Sequence, residues 1–519
     1  MRANVGEEIR HFAALLLRCA FVVALTPDPT ALRYFPFLTT PLHFTMNTNR
    51  RSFLRGTAAA SLAIPFASYA RPIGANDDIR LGFIGVGGRG SGHVGDFGKI
   101  KGCRVVAIAD ADTAAVDRMK KKLEGNPVEY YQDYRKLLAN PDVDAVIIAT
   151  PNHTHTVLAI HSLQAGKHVF VEKPVCHNIW EGRKLVEWAA KFPNLILQHG
   201  MQRRSDNGWL QIREFVQSGA IGKPIVSRGF CYKKREDIGK LPAPKSAPAS
   251  VDYNLWSGPR EMLPVNRKQF HYDWHWQWPY GNGDIGNQGP HQLDMARLLI
   301  DDPMACPSSV LSIGGRFGYD DDATTANTQI VFYDFKPVPV IFEVRGLPDE
   351  GMNFRGRLPS YKGVQIGNVL ECEGGYVSDG KAWDPAGKSI KSFKKDDGSD
   401  HQGNFLKHIR AGKVPVSHGA LTGHLSAALA HLANTSYRLG KDVPIAAIRE
   451  QMKSNALFSE TLERMVEHLG KNKVDTASLK AIAGPLLQFD GKAEQFTGEF
   501  SAEANKLSKE EYRAEFSIA

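Results

Sequence analysis

Ile79-Arg80-Leu81-Gly82-Phe83-Ile84-Gly85-Val86-Gly87-Gly88-Arg89-Gly90 is the stretch that decides the fold. Its opening apolar run has the makeup of a strand buried on both faces. The run passes directly into a G-x-G-x-x-G turn. A second apolar run, Arg104-Val105-Val106-Ala107-Ile108-Ala109, ends in Asp110, twenty positions after Gly90. Strand, glycine turn, helix, strand and terminal carboxylate is the order that a dinucleotide-binding βαβ unit requires. Gly85 permits the tight turn. Gly87 lets backbone N–H groups approach a pyrophosphate, with Gly88 and Arg89 in the same turn, and Gly90 lets the helix pack closely on the strand. The helix N-terminus adds partial positive charge. Asp110 would accept hydrogen bonds from the adenosine ribose, and its charge would repel a 2′-phosphate, so NAD is expected over NADP.

Strand-like and helix-like runs alternate onward from Asp110. Asp142 to Thr150 reads as a buried strand whose carboxyl edge carries Pro151-Asn152-His153-Thr154-His155. Lys167 to Val171 reads as the next strand, ending in Glu172-Lys173-Pro174. Ligands of open parallel sheets bind beyond the carboxyl ends of the strands, so Thr150, Pro151, Asn152, His155, Glu172 and Lys173 join the expected cofactor site. The fold class expected is α/β, with a doubly wound parallel sheet over 79–200. From residue 225 the runs Pro224–Tyr232, Ser309–Phe317, Thr328–Phe335 and Val338–Val344 follow one another without alternating helices, which predicts a mostly antiparallel sheet in a second domain over 201–445. Lys240–Ser250, Asp349–Val364 and Asp379–Gly398 read as loops, and 446–519 as a helical or irregular tail.

Asn49-Arg50-Arg51-Ser52-Phe53-Leu54-Arg55, a mild apolar run and Ala67-Ser68-Tyr69-Ala70 have the layout of a twin-arginine export signal over 46–70. An exported, periplasmic protein is expected from it, with the twin-arginine machinery as a partner. That route carries folded proteins, so the cofactor would be loaded before export and held tightly. Met46 stands just before the arginine pair, so 1–45 reads as a gene-model extension. Phe12–Leu25 is too short and too interrupted to span a bilayer, and no membrane span is expected in the mature protein.

The chain has 519 residues and a net charge of +9, of which the first 75 residues carry eight Arg against three acids. The remaining excess is spread thinly, without a basic block, which argues against nucleic acid as a partner. The six cysteines include no C-x-x-C pair, and no metal site is predicted.

Thr150-Pro151-Asn152-His153-Thr154-His155 and Glu172-Lys173-Pro174 resemble motifs of the glucose–fructose oxidoreductase/inositol dehydrogenase (Gfo/Idh/MocA) family. Ser218-Gly219-Ala220-Ile221-Gly222-Lys223 resembles the junction that opens its second domain, and Gly281 to Asp294 resembles its second catalytic motif. The resemblance covers roughly 79–445. It implies a Rossmann domain followed by an α/β domain whose large open sheet serves oligomerisation, so a homo-oligomer is expected. It further implies that Lys173 assists proton transfer at a sugar hydroxyl while hydride moves to or from the nicotinamide. His291 would be a second acid/base group. Asn287 stands where many members carry an aspartate; an amide cannot act as a base but can orient a hydroxyl.

Phe270-His271-Tyr272-Asp273-Trp274-His275-Trp276-Gln277-Trp278-Pro279-Tyr280 is dense in rings. Aromatic faces suit sugar rings, so Trp274, His275, Trp276 and Tyr280, with Trp256, are expected to bind a carbohydrate substrate. His271 and His275 are four apart but lack an acidic third ligand. Three functions follow: an NAD(P)-dependent oxidoreductase on a sugar, polyol or glycoside; an NAD-dependent glycoside hydrolase working through transient oxidation and elimination; or a non-catalytic sugar-binding protein that retains a dinucleotide.

Overall fold

The computed structural model describes residues 77–518 except 379, 397 and 399. The readings of 1–45 as an extension and of 46–70 as an export signal lie outside the described residues.

Six parallel strands form the first sheet: β1 (Ile79–Ile84), β2 (Cys103–Ala109), β3 (Glu129–Tyr131), β4 (Ala145–Ile148), β5 (His168–Val171) and β6 (Leu197–His199), in the order β3-β2-β1-β4-β5-β6. The period of two sorts their side chains between the faces. Leu81, Phe83, Ala145 and Ile147 join one core with Val94 and Phe97, whereas Ile84, Val146 and Ile148 join the other with Val157, Leu163 and Leu185. Burial on both sides is what a continuous apolar run predicts. The helices are α1 (Gly88–Phe97), α2 (Thr113–Lys122), α3 (Tyr134–Ala139), α4 (His155–Gln164) and α5 (Ile179–Lys191). Asp112 caps α2 by accepting from Ala114 N at 3.0 Å, and Asn178 caps α5 by accepting from Glu181 N at 2.9 Å.

After α6 (Asn207–Gln217) comes a sheet of twelve strands, β7–β18. Its centre is β7 (Pro224–Tyr232), β10 (Val340–Arg345), β9 (Thr328–Tyr333) and β8 (Ser309–Gly315), with β11 (Ile366–Cys372) on the far side of β7. β7 and β10 pair in parallel; the other pairings are antiparallel. The short helices α7 (Tyr253–Ser257) and α8 (Gly283–Asn287) and the longer α9 (Gly289–Leu299) lie between β7 and β8 in sequence.

Two stretches depart from expectation. Within Asp379–Gly398, Lys381–Trp383 and Ser389–Ser392 form strands β13 and β14, joined by a turn around Gly387 at φ 81°. β13 is only three residues long and β14 is exposed throughout, so the sequence lacks the run of apolar alternation that marks a strand. The tail supplies β16 (Lys480–Ala483), β17 (Leu487–Asp490) and β18 (Gln495–Thr497) as well as helices, and β16 and β17 pair with β8.

The chain then returns to the first sheet. Phe405, Leu406 and Ile409 of α10 (His401–Ala411) pack against Phe97 and Phe170. α11 (Ala420–Arg438) is buried along nearly its whole length, packed against α5, α9 and β8. Farther on, α12 (Ile445–Met452) and α13 (Ala456–Lys471) set Ile448, Phe458, Leu462 and Met465 against Ile313 and Ile330 of the large sheet. One face of β8 and β9 is therefore covered by this chain's own helices.

A buried ion cluster fixes α9. Arg204 donates to both Asp294 oxygens, at 2.7 to 3.0 Å, and Ser426 Oγ of α11 donates to Asp294 Oδ1 at 2.6 Å. Burial works against the Asp294 carboxylate, but Arg204 outweighs it and holds its pKa below the usual aspartate range. Removing one partner of such a pair costs about 3–5 kcal/mol. Asp294→Ala should therefore lower unfolding free energy in urea by about 3 kcal/mol at pH 7. Because the folded pKa is depressed, this difference is fully present above the unfolded value of about 4 and should shrink as pH falls below it.

Candidate active site

A cleft of about 790 Å³ opens along the carboxyl edge of the parallel sheet, lined by the glycine turn, by the loops after β2, β4 and β5, and by residues of the second domain. Its size suits a cofactor plus a small ligand.

The glycine turn has the shape that its sequence requires. Gly85 has φ 83°, and a Cβ there would lie 2.7 Å from Thr150 Cγ2. A Cβ on Gly90 would fall 1.8 Å from Gly85 O, so the first turn of α1 rests on the glycine backbone itself. Gly87 and Gly88 face open space, with nothing within 4 Å of a Cβ. Asp110 Oδ2 accepts from Val86 N at 2.7 Å and Oδ1 from Asp112 N at 2.9 Å. Burial raises the Asp110 pKa, and the two backbone donors oppose that rise. Carboxylate, bare glycine backbone and helix N-terminus thus form a cradle that a side chain would fill, which fits a dinucleotide.

At the other end, Glu172 and Lys173 follow β5. Glu172 Oε1 lies 2.8 Å from His93 Nε2 and accepts from Arg89 Nε at 3.0 Å. Burial disfavours this carboxylate, but His93, Lys173 and Arg89 outweigh burial and hold its pKa well below the glutamate range. Arg89 is thereby tied to Glu172 at the rim of the cleft. Lys173 Nζ donates to the main-chain oxygen of Asn287 at 2.7 Å and lies 3.5 Å from Asn287 Oδ1. Burial lowers the Lys173 pKa; Glu172 opposes the shift, while Lys233 and Arg89 reinforce it. His155 spans Pro174 O at 2.6 Å and Thr150 O at 2.7 Å, pinning the loop after β4 to the peptide that follows Lys173. It lines the cleft, but its ring nitrogens face the backbone. Thr150, Pro151 and Asn152 also line the cleft, and Asn152 Nδ2 donates to Asn282 Oδ1 at 3.2 Å.

His291, in the first turn of α9, lines the same cleft. Burial, with Lys173 and Arg203 adding to it, pushes its pKa down to about 3, so the ring is neutral at ordinary pH. Among the described residues its ring nitrogens have no hydrogen-bond partner.

The aromatic stretch divides. Trp274 and His275 line the cleft, stacked with ring centroids 3.7 Å apart, and His275 Nδ1 is fixed by Tyr272 O at 2.6 Å. Trp256 reaches the cleft from a buried cluster that includes Phe270 and Tyr280. Trp276 and Tyr280 do not reach it. Trp276 packs beside the Arg235 guanidinium, 5.1 Å from its ring centroid, and Tyr280 is buried with its hydroxyl 2.9 Å from that of Tyr253. A short 3₁₀ turn over Asp273–Trp276 sends neighbouring rings in different directions. His271 also lines the cleft and is bound to Asp112 at 3.0 Å.

Several lining residues escaped the sequence analysis: Gln202, Lys233, Arg235, Gln288 and Phe516. Lys233 and Arg235 emerge from the end of β7, where Lys-Lys-Arg reads as an ordinary solvated loop. Nothing in the local sequence marks Phe516.

Residues 79–199 match a family profile described as the oxidoreductase family, NAD-binding Rossmann fold (Gfo/Idh/MocA), and 208–343 match the C-terminal alpha/beta domain of that oxidoreductase family. An inositol 2-dehydrogenase of Rubrobacter xylanophilus is 34% identical over 158 residues, 30% of this chain and 45% of the relative. A glycosyl hydrolase family 109 protein of Shewanella pealeana is 32% identical over 205 residues, 34% of this chain and 44% of the relative. The matched stretch thus spans less than half the length of these relatives. A solved structure of the WlbA dehydrogenase from Bordetella pertussis, in complex with NADH and UDP-GlcNAcA, shares the fold. It has a TM-score of 0.52 at 18% identity, over 70% of this chain and 97% of that one.

The glycines make separable predictions. Gly88→Ala should keep the wild-type melting temperature but weaken NADH binding about tenfold in a fluorescence titration, since its methyl group enters the cradle. Gly90→Ala should lose stability in thermal unfolding, because its Cβ collides with Gly85 O.

Proposed function

Both domains belong to the Gfo/Idh/MocA oxidoreductase family, and from that premise we propose that the protein is a nicotinamide-dependent oxidoreductase acting on a sugar, polyol or glycoside. The observation that carries the proposal is the meeting of Lys173, Asn287 and His291 in the cleft that holds the glycine cradle. A bound nicotinamide supplies the hydride acceptor or donor. Lys173 takes the hydroxyl proton when its lowered pKa leaves the amine neutral. Asn287 holds that amine in place through its main-chain oxygen. His291, neutral, hydrogen-bonds the same hydroxyl and fixes its direction. Trp274 and His275 offer a stacked wall for the ring of the substrate. Asp110 supports NAD over NADP, since a 2′-phosphate would meet its carboxylate.

Export by the twin-arginine route to the periplasm belongs to the same proposal, with the dinucleotide loaded beforehand and retained. So does self-association, for which the exposed strand β14 is one edge of the sheet. A glycoside hydrolase that oxidises, eliminates and reduces in one cycle is the second reading, favoured by the similarity to glycosyl hydrolase family 109 proteins.

Lys173→Met should reduce turnover about 10²–10⁴-fold while NADH still binds; unchanged turnover would remove Lys173 from the chemistry. In the wild type the acid limb of kcat/KM should report the Lys173 pKa. Glu172→Gln should move that limb to lower pH, because losing a nearby negative charge lowers the pKa of the amine. Aglycone release from a chromogenic glycoside, without net NADH, would select the hydrolase.

A further inference from the structure

The last described residues return to the cleft from outside both matched domains, and they are anchored to each. Trp180 N donates to Ser508 O at 3.1 Å, and Trp188 Nε1 donates to Ile518 O at 3.3 Å, both from α5 of the first domain. Tyr512 packs edge-on against Trp180 at 5.5 Å. From the second domain, Arg260 pairs with Glu510. Arg513 grips the turn after α7: its N donates to Pro259 O at 3.1 Å, its Nε to Gly258 O at 2.9 Å and its Nη2 to Asn254 O at 2.7 Å. The helix before that turn carries Leu255 and Trp256, two walls of the cleft. Between these anchors Phe516 enters the cleft lining. It is only 1% exposed and belongs to an apolar cluster with Tyr134, Val157, Leu158 and Leu255. Tyr134 follows β3, the neighbour of β2, and Asp110 follows β2. Through Tyr134 we place Phe516 toward the Asp110 end of the cleft. In a Rossmann unit that end receives the adenosine half of the dinucleotide.

Given a dinucleotide in the cleft, as proposed above, we propose that residues 508–518 are a built part of its site, with Phe516 closing the adenosine end and slowing release of the cofactor. A ring at that place removes apolar base surface from water and offers it an aromatic contact. The anchors on both domains mean that opening the adenosine end requires breaking contacts on both sides. The protein would thereby retain its cofactor where free dinucleotide is scarce.

The test compares NADH with reduced nicotinamide mononucleotide, which lacks the adenosine half, on the full chain. Phe516→Leu keeps most of the apolar volume and is the working variant; Phe516→Ala is harsher and risks unfolding. Phe516→Leu should speed NADH release about tenfold in stopped-flow displacement, with the affinity for the mononucleotide unchanged. Unchanged NADH release overturns the proposal. So does an equal loss for both ligands, which would mark Phe516 as structural only. A wild-type protein that binds neither ligand would instead sink the dinucleotide assignment itself.

Discussion

The hydrogen bond from Lys173 Nζ to Asn287 O, 2.7 Å long, is the constraint on which the site depends. It joins the end of a strand in the first sheet to a short helix of the second domain, 114 positions away. A buried ammonium is costly unless its donors are used. Here one donor is spent on a main-chain oxygen, which keeps the amine in place without a negative charge directly opposite. The neighbouring Glu172 is occupied by His93 and Arg89. The lysine is thus positioned by geometry, and burial lowers its pKa from the ordinary lysine value.

The surrounding structure can be understood as support for that bond. His155 fixes the peptide after Lys173, and Arg204 with Ser426 fixes Asp294 three residues beyond His291 on α9. α11 supplies Ser426 and is packed against both α5 and β8, so it transmits the position of the first sheet to the second. Ala427, Ala428, Leu429, Ala430, Leu432 and Ala433 of this helix are all fully buried, and its buried polar groups, Ser426, His424 and Asn434 among them, are hydrogen-bonded. The small residues let helix and sheet approach closely; the leucines fill what space remains.

How legible each part was in the sequence follows the range of the force that places it. The glycine turn and Asp110 were legible because their constraint is local: a positive φ at Gly85 and a helix start seated on its backbone admit few other residues. Lys173, Asn287 and His291 were legible through short motifs at strand and helix ends. The direction of Trp276 and Tyr280 was not, because it goes with contacts to Arg235 and Tyr253, which are distant or unremarkable in sequence. Lys233, Arg235 and Phe516 were invisible for a stronger reason. Each reaches the cleft only once two sheets and a returning tail have closed around it, and no local pattern encodes that closure. The covering of the large sheet by α12 and α13 was hidden in the same way, since an amphipathic helix in a tail does not announce which sheet it will meet.

The amide at position 287 bears most directly on the chemistry. A carboxylate there would stand within 3.5 Å of Lys173 Nζ, the distance at which Oδ1 of Asn287 now lies. An opposite charge so close favours the protonated amine and raises its pKa. With asparagine, the nearest full negative charge is Glu172, already shared with His93 and Arg89, and burial goes less opposed. Burial and the nearby Lys173 push the His291 pKa down to about 3, which favours its neutral form. In the proposed chemistry Lys173 is therefore the proton acceptor, held by Asn287, and His291 aims the hydroxyl.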